Sequence, residues 1–156
     1  MDGVGHAAWS YLIWYGTPYP GLAAFMSVFP DLIGVLPPYA AAFFKNKGDW
    51  SATWNKKNMP SWYKTSKIWT YTWTHSILVS LGVSLASIVL FGWWTSWMLA
   101  WPLHVFVDIF THPRDKAPAF LWPLHDARVH GYPWWNRPFM IGNYAVLIIV
   151  GAFVLF

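Results

Sequence analysis

The chain contains no cysteine, which excludes disulfides and thiolate metal sites alike. It also contains no glutamate; the acids are all aspartates, at Asp2, Asp31, Asp49, Asp108, Asp115 and Asp126. Any metal must therefore be held by histidine and aspartate. Charge of either sign is scarce. Charged residues make up 10% of the 156-residue chain, against about 25% in an ordinary soluble domain. The length suits one domain spanning 1–156, and the charge deficit points to a membrane. The N-terminus has neither a basic region nor a small-residue cleavage motif, so no cleaved signal peptide is expected.

Apolar and aromatic residues are abundant. Hydrophobic residues reach 56%, with 14 Trp, 8 Tyr and 11 Phe, a load that suits aromatic belts at a membrane interface. The net charge of +4 does not argue for nucleic acid. The lysines and arginines fall in segments flanking apolar runs, where topology control and attraction to anionic lipid account for them.

Five hydrophobic segments are expected, giving an all-α, multi-pass membrane helical bundle. Segment one covers about Ala7 to Gly16 and ends at the turn Thr17-Pro18-Tyr19-Pro20-Gly21. Segment two covers Leu22 to Leu36. Pro30 is expected to kink or break it, and Pro37-Pro38 to stop it. Both fall short of the roughly 20 residues of a straight span, so together they read as a helical hairpin. A Lys-rich loop follows at about 45–70. Segment three, about Ser76 to Trp94, reads as a spanning helix. After a short turn at Gly92 to Ser96, segment four runs from about Trp97 to Thr111. A polar loop at 113–138 leads to segment five, Phe139 to Phe156, which is free of charge.

The ten basic residues lie in the two loops, 45–70 and 113–138. Segments three and four form a hairpin between them, so both loops face one side, the cytoplasm by the positive-inside rule. That arrangement brings His6, Asp31, His75 and His112 to the same end of the helices. The run His104-x-x-x-Asp108-x-x-x-His112 has i, i+4, i+8 spacing, one face of a helix. Imidazole with carboxylate is ligand chemistry for zinc and similar divalent metals. The expected metal ligands are His6, Asp31, His75, His104, Asp108 and His112, with His112 able to serve a second ion. Asp31, His75 and Asp108 are the expected catalytic residues. Taken singly, each has a plainer reading: Asp31 as a helix-end acid, His75 as an interfacial histidine, His104 and Asp108 as polar groups satisfying one another. Their common depth favours a shared site. His125, Asp126 and His130 read as surface residues, Trp134-Trp135 as an interfacial anchor, and Arg114 and Lys116 as positive-inside residues.

These residues also resemble a known pattern. An early histidine, Phe29-Pro30-Asp31-Leu32, Thr74-His75-Ser76 and Leu103-His104-x-x-x-Asp108-x-x-Thr111-His112 resemble the inner-membrane metal-dependent hydrolase family. Phe120-Leu121-Trp122-Pro123-Leu124, Gly131-x-x-Trp134-Trp135 and Asn143 extend the resemblance over nearly the whole chain. Where that family often carries Arg-Gly before its Thr-His-Ser motif, this chain has Tyr71-Thr72-Trp73, so no phosphate-binding role is carried over to that point. The family is similar to zinc-dependent phospholipase C-like hydrolases. The resemblance therefore implies an inner-membrane enzyme with zinc, acting on a phosphoester or lipid-like substrate through an activated water. Membrane lipids are the expected surroundings. The alternative is a non-catalytic small subunit of a larger membrane complex, packing against partners or contacting a haem or pigment. A transporter or proton relay ranks third, because five segments show no inverted symmetry.

Overall fold

The computed structural model describes residues 1–49, 70–114 and 116–156. Most of the expected Lys-rich loop, 50–69, and Asp115 lie outside the described residues. The described residues are helical, without strands. Among the described residues the helices are α1 (Gly3–Ile13), α2 (Pro20–Lys45), α3 (Ile77–Phe91), α4 (Ala100–Thr111) and α5 (Arg137–Leu155), with a 3-10 helix, Trp93–Leu99, between α3 and α4 and a further helical stretch at 70–74.

Local chemistry sets the boundaries. The Asp2 carboxylate accepts from Gly5 N at 2.7 Å and caps α1. Ser76 does the same for α3 through Val79 N, leaving His75 just outside the helix. Each cap satisfies one of the orphan amide donors of a first turn. Gly92, at φ 95, ends α3 in a conformation that favours glycine. Pro138 lies in the first turn of α5, where its missing N–H costs nothing.

The helix boundaries differ from the sequence reading in several places: α1 covers Gly3–Ile13 where Ala7 to Gly16 was expected, and the larger differences are in α2 and α3. The second helix is not stopped at Pro37-Pro38 or broken at Pro30; α2 continues for 26 residues to Lys45. A proline inside a helix removes one donor and crowds one carbonyl, yet the helix runs through all three positions. The third segment is shorter than expected. At 15 residues, α3 covers about 22 Å at 1.5 Å per residue, short of the roughly 30 Å hydrocarbon core. Among the described residues, Arg137–Leu155 is the one helix long and apolar enough to cross a membrane.

The helices α1 and α2 form a hairpin, and α2 and α3 both pack on α4. Ala23, Met26, Ala100, Trp101 and Val105 form the apolar core, with Phe29 and Trp73 set edge-on to Trp101. Trp101 Nε1 donates to the Thr74 carbonyl at 2.7 Å, fixing the chain just before His75. Two bonds attach α5 to α1: Trp9 Nε1 to Asn143 Oδ1, and the Tyr144 hydroxyl to Asp2.

The pattern of α3 is inverted. Its buried residues are Ser80 and Ser84, while Leu81, Val83, Leu85, Val89, Leu90 and Phe91 face outward. Ser84 donates to the Met98 carbonyl at 2.9 Å, where the 3-10 helix approaches closely. Small residues inward and apolar residues outward is the reverse of a soluble amphipathic helix. The last helix is alike: Leu147 is its one fully buried residue, and Ile141, Ile148 and Phe153 are exposed.

Candidate metal centre

Three separate segments meet at the site: α2 brings Asp31, the turn before α3 brings His75, and α4 brings His104 and Asp108. One ligand atom from each lies within 4.8 Å of all the others. His75 Nε2 stands 3.3 Å from Asp31 Oδ1 and 3.3 Å from His104 Nε2. His104 Nε2 lies 3.3 Å from Asp108 Oδ2 and 3.9 Å from Asp31 Oδ1. His75, His104 and Asp108 are buried, whereas the Asp31 side chain is 33% exposed. The open side of the cluster is therefore at Asp31.

Both ring nitrogens of His75 have polar neighbours. Nδ1 lies 3.1 Å from the Tyr71 carbonyl and 3.0 Å from the Thr74 hydroxyl, and Nε2 lies beside Asp31 Oδ1. The Tyr71 carbonyl only accepts, so when Nδ1 carries the proton it donates there and Nε2 is left as a lone pair open to a cation. A backbone carbonyl holding the distal nitrogen is the usual support of a metal-ligating histidine. The spacing fits as well. Four donors on a tetrahedron with zinc bonds of 2.0–2.1 Å stand about 3.3–3.4 Å apart, close to three of the distances found here. The donor set could hold a metal ion.

The two oxygens of Asp108 have different neighbours. Oδ2 faces His104 and the cluster. Oδ1 is turned away and is taken by His6 Nε2 at 2.9 Å, the Met1 amino group at 2.6 Å and the Thr111 hydroxyl at 3.3 Å. His6 thus meets the second oxygen of Asp108 and lies outside the group of four. Its ring lies against that of His104, tilted by 35° with centroids 3.9 Å apart.

His112 is also outside the group, and here the expected shared helix face fails. The helix ends at Thr111, and His112 is its C-cap in extended backbone, φ −119 and ψ 137. Pro113 follows, and a residue before proline is pushed out of the α region. The His112 ring turns back, with Nδ1 3.2 Å from the Asp108 carbonyl and 3.6 Å from its Oδ1. Burial lowers its pKa from the ordinary histidine value, with Asp108 opposing.

Two neighbours were not singled out as site residues from the sequence. Tyr71 stacks on His75 with centroids 3.9 Å apart, and its hydroxyl donates to the Lys116 carbonyl. Burial, aided by Asp108 and Asp31, pushes its phenol above the ordinary value. The i, i+4 spacing of Tyr71 and His75 was the available signal. Thr111 closes the α4 end of the site. The loop 131–134 seals that end through backbone bonds from Gly131, Tyr132 and Trp134 to the carbonyls of His112, Phe110 and Thr111.

The polar loop residues do not join the cluster. Asp126 pairs with Arg128 at 2.9 Å, His130 Nδ1 accepts from Arg114 N, and Lys116 lies 4.4 Å above the Trp135 ring. No family model, curated protein or solved structure matches this chain.

Proposed function

We propose that this protein is a membrane-embedded, metal-dependent hydrolase acting on a phosphoester or lipid-like substrate. The observation that carries the reading is the convergence of His75, His104, Asp108 and Asp31, with one ligand atom of each within 4.8 Å of all the others and His104 Nε2 3.3 Å from both His75 Nε2 and Asp108 Oδ2. A zinc-type cation held by these residues would supply the Lewis acidity for ester hydrolysis by water at neutral pH. The chain's own residues do the rest. His75 and His104 present neutral nitrogens, and Asp108 and Asp31 supply the balancing charge. Asp31, alone in being substantially open, faces the side on which substrate and water arrive.

The membrane assignment rests on the outward apolar faces of α3 and α5 and on the spanning length of Arg137–Leu155. A soluble protein rarely exposes contiguous apolar surface on this scale. In this reading the protein is a multi-pass protein of the inner (cytoplasmic) membrane, with its two basic loops on the cytoplasmic side. A second reading, a non-catalytic subunit of a larger membrane complex, draws on the bare outer face of α5, which suits lateral packing as well as lipid.

The test is metal analysis of the full chain purified in detergent under zinc-replete conditions, paired with chelator-sensitive hydrolysis of bis(p-nitrophenyl) phosphate. One bound divalent ion and activity lost on chelation support the enzyme. A protein that binds no divalent ion would put the subunit reading first.

A further inference from the structure

The ring of His104 is buried, and its Nδ1 has no hydrogen-bond partner among the described residues. A metal-ligating histidine usually has its distal nitrogen held by a carbonyl or carboxylate, which sets the ring plane. His75 has that support from Tyr71; His104 lacks it. Its ring is held by its neighbours instead. One is His75, edge-on at 5.2 Å. The other is His6, tilted by 35° with ring centroids 3.9 Å apart. His6 also reaches the other ligand of the same helix. Its Nε2 lies 2.9 Å from Asp108 Oδ1, the oxygen turned away from the cluster. One side chain on α1 therefore touches both α4 ligands without presenting a nitrogen to the point they share.

We propose that His6 is a positioning residue: it donates Nε2–H to Asp108 Oδ1 and packs on the His104 ring, fixing two ligands of a single-ion centre. The proposal rests on the metal-centre reading above and deepens it. With Oδ1 committed to His6, the Met1 amino group and Thr111, Asp108 offers the ion only Oδ2. His112, turned back to a backbone carbonyl, completes no second site.

The test uses the full chain in detergent, loaded with zinc, as wild type, His6→Gln and His6→Ala. Zinc K-edge X-ray absorption counts imidazole ligands, competition with a chromophoric chelator gives affinity, and thermal unfolding gives stability. The expected wild type has one zinc per chain with two imidazoles. His6→Ala keeps that count and loses about 10- to 100-fold in affinity, the usual cost of removing an outer-shell partner. His6→Gln, whose amide can still donate, recovers much of the loss. Three imidazoles, or two zinc ions per chain, would overturn the positioning role while leaving the metal centre in place. A His6→Ala protein that is less stable but binds zinc as wild type does would also overturn it. A wild type that binds no zinc overturns the metal reading itself. Should His6→Ala fail to fold, the wild-type imidazole count and the Gln variant still decide.

Discussion

The Nε2 atoms of His75 and His104 face one another at 3.3 Å, although no sequence proximity joins them. The Tyr71 carbonyl beside His75 Nδ1 offers an acceptor for the ring proton, which would leave Nε2 free to ligate. With Asp31 and Asp108 beside them, the two imidazoles form a group that could hold a metal ion.

Replacing His75 or His104 by alanine removes a coordinating nitrogen. Each variant is expected to lose zinc affinity by more than about 100-fold, exceeding the usual effect of an outer partner, and to lose chelator-sensitive hydrolysis. Zinc titration with circular dichroism checks both binding and fold. Unchanged zinc affinity in either variant contradicts the ligand assignment.

Trp101→Phe keeps most of the ring packing and removes the donor to the Thr74 carbonyl. A buried carbonyl left without a partner costs about 1–3 kcal/mol. The expected result is a lower unfolding midpoint with the metal retained at saturating zinc, read by thermal denaturation of the zinc-loaded protein. Unaltered stability would show that this bond does not hold the His75 turn.

Gly131 lies against the end of α4. A Cβ there would stand 2.4 Å from the Phe110 carbonyl carbon and oxygen and 2.8 Å from the His112 oxygen, all backbone atoms. Gly131→Ala must therefore push the loop off the helix end, at about 1–3 kcal/mol or more. It is expected to weaken zinc binding too, because Asp108 and Thr111 lie in that last turn. Wild-type stability and affinity together would refute the close approach.

Val89 is 82% exposed on the outward face of α3. On a soluble protein Val89→Asp would change stability by no more than about 0.5 kcal/mol. Facing lipid, an aspartate costs up to about 2.5–3.5 kcal/mol, the value at the centre of a spanning helix. Membrane integration, measured by alkaline carbonate extraction, is expected to fall sharply for Val89→Asp and to remain for Val89→Leu. Equal behaviour of the two variants would count against lipid on that face.

Much of this protein can be read from the sequence by itself. Low charge and long apolar runs give helices, and His104 and Asp108 at i, i+4 share a face whatever packs against them. The helix end before His112 is also legible, because Pro113 displaces the preceding residue from the α region. The sequence alone does not place that ring against the Asp108 carbonyl. Tertiary structure decided the rest. Asp31 and His75 reach α4 because the α1–α2 hairpin and the turn held by Trp101 pack there, at sequence separations no local pattern spans. Only packing distinguishes Asp108 Oδ2, facing the cluster, from Oδ1, taken by His6. Helical periodicity fixes the direction in which a side chain leaves the backbone, whereas the choice of oxygen or ring nitrogen that meets a neighbour depends on rotamers set by the surrounding helices.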